Sequence, residues 1–178
     1  MSELYDKIVS QRGSLERLFA RLPGFAGYQD KQARRHADRM LRDHIAGEID
    51  KQVTRFVQIE NKMLDGGGLA YMSKTRSVKD RIQLYHDRVQ AAAPGYSAMW
   101  AENKIGTEEL EKLYSFDEAQ IRYVDKLAEN LESLDKAVIK KEGIEDALAA
   151  VDQTASEGND AFSLREDVLT NLDKSLKG

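Results

Sequence analysis

Three histidines and no cysteine bound the metal and nucleophile chemistry open to this 178-residue chain. In a helical chain the first candidate use of histidine is a carboxylate-bridged dimetal site, which takes Glu-x-x-His pairs on facing helices. The residues three places before His36, His44 and His86 are Ala33, Leu41 and Gln83. None is a carboxylate, so that spacing is not met. His36, Met40 and His44 rise along one helix side, with Asp43 and Glu48 outside any narrow stripe with them, and read as surface or interface residues. The lack of cysteine excludes disulfides, thiolate metal sites and thiol catalysis. No Ser/His/Asp set stands out. The glycine run Gly66-Gly67-Gly68 follows no strand and lacks P-loop spacing, so it reads as a tight reversal and not a phosphate cradle. The chain therefore reads as non-enzymatic, with no metal and no cofactor.

The remaining charged chemistry is a run of arginines. Lys31, Arg34, Arg35, Arg39 and Arg42 crowd one helix start, interrupted only by Asp38. Arg35, Arg39 and Arg42 are spaced four and three apart and share a face. Positive charge there opposes the helix dipole and calls for counter-charge. Residues 1–101 hold 17 Lys/Arg against 12 Asp/Glu, a balance of +5; residues 102–178 hold 10 against 19, a balance of −9. Pairing of the basic half with the acidic half of the same chain is the first expectation, and head-to-tail pairing between copies the second. The basic helix is long and lacks interleaved stacking aromatics, so nucleic acid is not an expected partner.

Beside this run lie two aromatic elbows. Leu22–Asp30 carries Phe25 and Tyr28 around Pro23-Gly24, and Ala93–Trp100 carries Tyr96, Met99 and Trp100 after Pro94-Gly95. Such aromatics either plug the end of a bundle or form a knob for a partner. Together with Arg35, Arg39 and Arg42 they are the candidate interaction residues.

Apolar periodicity then places the elements. Five helices are predicted, over Glu3–Leu22, Asp30–Leu64, Leu69–Ala92, Thr107–Glu142 and Ile144–Ser175. Val124, Leu127, Leu131, Leu134 and Val138 alternate by three and four and form the clearest seam. Asp117 and Gln120 fall on that seam and need partners if buried, which the basic start of the second helix is expected to supply. In the last helix the pattern runs through Gly158 without a phase change, predicting one helix bent or frayed near Ser156–Asp160. The fold class is all-α: a single domain forming an elongated antiparallel bundle of coiled-coil hairpins. The start, Met1–Gln11, lacks an apolar h-region, and no apolar run approaches the ~20 residues of a membrane span, so a cytoplasmic location is expected.

The segments PGFAGYQDKQARRHADRMLRDH and APGYSAMWAENKIGTEELEKLYSFD resemble a set of all-helical bacterial proteins with Pro-Gly-aromatic elbows and no known activity. That resemblance implies a helical bundle and transfers no catalytic residue. A short amphipathic helix ahead of a hairpin also resembles, in layout, the phage-shock and ESCRT-III-like membrane remodellers, although Pro94 and Gly66–Gly68 interrupt the continuous hairpin of that group. The functional expectation is an adaptor or scaffold that binds a protein partner or itself. The alternative is peripheral binding to an anionic membrane surface through the first helix and the Arg face.

If the seam is packed, Leu131→Ala is expected to cost ~2–5 kcal/mol. Urea melts measure this, and a loss within their noise would mean that the seam faces solvent.

Overall fold

Leu127, Leu131, Leu134 and Val138 run as a buried stripe along one side of a 34-residue helix. That stripe must be covered, and the chain covers it by reversing. Lys141 and Gly143 take positive φ (58° and 69°), and the amide of Glu142 donates to the carbonyl of Ala137. The computed structural model describes residues 2–11, 15–30, 33–92 and 106–175, with side chains through residue 170. The helices are α1 (Glu3–Ser10), α2 (Leu15–Arg21), α3 (Arg34–Asp65), α4 (Met72–Ala91), α5 (Thr107–Lys140) and α6 (Ile144–Ser175), with a 3-10 turn at Leu69–Tyr71. Among the described residues there is no strand, and no helix is long and apolar enough to cross a membrane.

Two hairpins make the bundle. In the first, α3 ends at the glycine run. Gly67 takes φ +87°, and a Cβ on Gly68 would lie 2.7 Å from the carbonyl oxygen of Met63, so both positions require glycine. Helix α4 returns antiparallel, with Lys79 bonded to Glu60 at 3.1 Å. In the second hairpin, α6 returns along α5, and Asn130 donates to the Ala150 carbonyl and to Thr154 Oγ1.

The hairpins lie side by side with like helices parallel. Arg55 donates to the Ala128 carbonyl and Lys62 meets Asp135, which aligns α3 with α5. Lys74 meets Glu145 and Arg81 meets Asp152, which aligns α4 with α6. The bundle is thus antiparallel within hairpins and parallel between them. At 1.5 Å per residue, the three longest helices are ~50 Å.

The expected first helix is divided into α1 and α2, with Gly13 among the undescribed residues 12–14. The division has a packing cause. Ile8 of α1 enters a small cluster over α5 and α6, whereas Leu18 of α2 enters the main core. Helix α3 starts at Arg34, later than expected, and its cap residue Ala33 makes no side-chain cap bond. Its first amide, with that of Ala33, reaches the backbone carbonyl of Asp30.

Helix α6 is one helix from Ile144 to Ser175, as the unbroken phase predicted, and it is not interrupted at Ser156–Asp160, where a bend or fraying was expected. The reason for Gly158 is steric. A Cβ there would sit 2.7 Å from Cε1 and 2.8 Å from Cζ of Tyr85, whose buried ring lies on the bare backbone. Gly158→Ala gains about 1 kcal/mol of helix propensity but overpacks a closed site at a cost of about 1–3 kcal/mol. Net destabilisation is expected in thermal melts, and a stabilised variant would contradict this packing.

Candidate functional site

One stretch of α5, beginning two turns in, is enclosed on every side. All eight residues from Leu113 to Gln120 are buried, between α1, α2, α3, α6 and the elbow that joins α2 to α3. A helix buried all round is ordinarily apolar. This one brings in Ser115, Asp117, Glu118 and Gln120, so each needs a partner. Ser115 donates to the carbonyl of Glu111, and Glu118 receives Arg17 and Arg122. Gln120 accepts from the Tyr85 hydroxyl at 2.6 Å and donates to the Gly158 carbonyl.

Asp117 is the centre. It is 0% exposed, and both its oxygens accept: Oδ1 from Arg165 Nε at 2.6 Å, Oδ2 from the Tyr28 hydroxyl at 2.6 Å. Arg165, 1% exposed, also donates to Asp38 Oδ1 at 2.7 Å and to the Tyr28 oxygen at 3.3 Å. Asp38 takes a further bond from Arg42 at 2.9 Å. Two arginines thus meet two carboxylates from α3, α5 and α6.

The elbow closes this cluster. Gly24 and Gly27 take φ +87° and +73°, and a Cβ on Gly27 would lie 2.8 Å from the Tyr114 hydroxyl. That hydroxyl accepts the Tyr28 amide, while the Tyr28 ring stacks on Tyr114 at 5.4 Å and meets Phe25 edge-on at 5.5 Å. Arg34 donates through Nε to the Tyr28 carbonyl.

Burial and pairing compete at each charge. Full burial raises the Asp117 carboxyl above its ordinary range and outweighs Arg165 and the Tyr28 bond. Burial also works against Asp38, but Arg165 and Arg42 prevail and hold it below the ordinary range. Desolvation opposes the Arg165 charge, and Asp117 and Asp38 more than offset it. Burial, then the charge of Asp117, pushes the Tyr28 phenol well up. Arg165 stands between the two carboxylates where a metal ion would need to be, so this donor set does not fit a metal. Among the described residues, no group of three or more His, Asp or Glu side chains comes together as a metal would require. His36 is exposed, His86 sits beside Asp87, and His44 lies by Arg21, Glu48 and Asp125 with its pKa lowered mainly by burial.

The predicted interaction residues separate in space. Phe25 and Tyr28 are buried as plugs and are not an exposed knob. Arg35 and Arg39 are exposed, and Arg42 is half-buried. Arg39 and Arg42 pair with Asp43 and Asp38 of their own helix. Arg17–Glu118, Arg21–Asp125, Lys62–Asp135, Lys74–Glu145 and Arg81–Asp152 carry the pairing between halves. Tyr96, Met99 and Trp100 lie outside the described residues. The expected partners of Asp117 and Gln120 are likewise corrected. They come from Arg165, Tyr28, Tyr85 and the Gly158 backbone. Arg165 on an apolar seam was the sequence signal for this cluster.

Compared with protein-family models, curated proteins and solved structures, the chain matches none.

Arg165→Met removes the compensating charge and is expected to cost about 3–5 kcal/mol at neutral pH. The pH dependence has a definite sign. In the wild type, Asp38 stabilises above its unfolded pKa and loses that contribution as pH falls through its depressed folded value. Asp117, raised, contributes the opposite way, losing stability as pH rises through its folded value. Without Arg165 both carboxyls lose their main cationic partner, so the deficit should shrink as pH falls through the carboxylate range. Urea melts across that range test this, and a deficit independent of pH would refute it.

Proposed function

We propose that the chain is a non-enzymatic helical interaction protein, an adaptor or scaffold that binds a protein partner or a second copy of itself. The observation that supports this is the closure of its acid–base constellation. Asp38, Asp117, Arg165 and Tyr28 are buried and bonded to one another, in service of the fold. What is presented outward is contact surface. Leu69 and Ile139 are 74% and 69% exposed, and Arg39 is 77% exposed with only a weak pair to Asp43 at 3.6 Å. A cytoplasmic location goes with this reading.

Peripheral binding to an anionic membrane draws less support. Ile8, the residue the first helix would insert, is buried in the bundle, and Arg42 is engaged by Asp38.

Solution mass by light scattering tests the proposal. Self-association should raise the mass above the 20.1 kDa of one chain as concentration increases. Arg35→Glu/Arg39→Glu should lower it, and salt should mimic the variant, since screening at 1 M confines charges to ~3 Å. A single-chain mass throughout would sink self-association and assign the contact to another protein. Sedimentation with anionic liposomes, abolished by the same variant at unchanged mass and melting, would overturn the proposal in favour of the membrane.

A further inference from the structure

We infer that the end of the bundle opposite the elbow is a contact surface for the same end of a second copy, the two related by a two-fold axis. This rests on the self-association reading and gives it a place separate from the Arg35 and Arg39 face. Because like helices run parallel, the α3–α4 and α5–α6 reversals come together at this end. Lys62 meets Asp135 and Lys74 meets Glu145 just below them.

Among the described residues five large apolar side chains are exposed, and three of them, Leu64, Leu69 and Ile139, belong to these reversals. The 3-10 turn Leu69–Tyr71 buries none of its residues. Lys141 takes φ 58°, a left-handed conformation uncommon outside glycine. An exposed cation thus stands where a glycine would turn the chain more easily.

Charge identifies the occupant. The first reversal carries one acid, Asp65. The second carries two cations, Lys140 and Lys141, and one acid, Glu142. Lys62, Lys74 and Lys136 are already matched by Asp135, Glu145 and Glu132. Among the described residues no ion pair takes Asp65, Lys140, Lys141 or Glu142. The two reversals are therefore opposite in sign and sum to zero. Asp146 adds one acid in the first turn of α6, where helix amides favour it. An end so nearly neutral has no net attraction for an anionic lipid surface or a nucleic acid. It does complement itself. A two-fold axis across the end, between the hairpins, lays the first reversal of one copy on the second reversal of the other. Asp65 then meets Lys140 and Lys141, and Leu69 meets Ile139, once on each side of the axis. The end face of a bundle is small, so the pair belongs to the weak, transient class.

Light scattering tests this on the full chain carrying Arg35→Glu/Arg39→Glu, so that the elbow-end arginines take no part. The mass should climb from 20.1 kDa toward that of two chains as concentration rises to about 1 mM. Adding Leu69→Ser/Ile139→Ser should abolish the climb with melting unchanged, because both residues are exposed. Asp65→Lys alone, or Lys140→Glu/Lys141→Glu alone, sets like charges together on both sides of the axis. Each should weaken the pair at least about tenfold. An equimolar mixture of these two variants should regain the mass of two chains, since every contact between unlike copies is again acid on base. A mixture no heavier than its components would overturn the proposal, as would a climb that survives Leu69→Ser/Ile139→Ser. A single-chain mass throughout, with salt-sensitive self-association intact in the wild type, would end the proposal and leave the interaction reading standing.

Discussion

A guanidinium with almost no access to water sits between two carboxylates, and the elbow end of the bundle is arranged around that fact. Taking such ions out of water costs several kcal/mol each, and mutual attraction returns this only when geometry is good and the remaining donors and acceptors are filled. Here they are filled from four directions. Tyr28 comes from the elbow, Asp38 from α3, Asp117 from α5 and Arg165 from α6. Phe162 lies beneath the guanidinium at 5.9 Å. The glycines at 24 and 27 follow from the same demand, since the elbow must turn tightly to bring Tyr28 onto Asp117 while clearing Tyr114.

Much of the fold was legible because it is periodic. The leucines of α5, the glycine reversal and the continuity of α6 through Gly158 all follow from spacing. What spacing does not encode is which helices become neighbours. Arg165 and Asp117 each stand out on an apolar seam, but they are 48 residues apart and nothing local links them. Nearest charge in sequence pointed to the arginines of α3, yet Arg39 and Arg42 find acids one turn away on their own helix. The break between α1 and α2 was illegible for a similar reason. Leucine spacing carries across it, and only the packing shows Ile8 and Leu18 entering different clusters. Of the candidate site, the elbow aromatics were recognised, but their burial depends on Tyr114, 86 residues from Tyr28.

The uneven charge of the two halves is resolved along the length of the bundle by pairs distributed from Arg17–Glu118 to Lys74–Glu145. Most are solvent-exposed and individually weak. Their collective effect is to place opposite signs on facing hairpins, which favours this pairing of halves over pairing like with like.

The side-by-side, parallel alignment of the hairpins has a further consequence for register. A seam repeating every seven residues is nearly degenerate under translation by one heptad, since one apolar residue meets another after the slip. Two parallel seams, α3 on α5 and α4 on α6, share that ambiguity. The polar contacts do not repeat. A heptad slip between the hairpins would carry Arg165 away from Asp38 and push the Tyr85 ring off Gly158 onto a side chain. The buried ions and one bare glycine thus select a single axial setting among several that hydrophobic burial alone would accept.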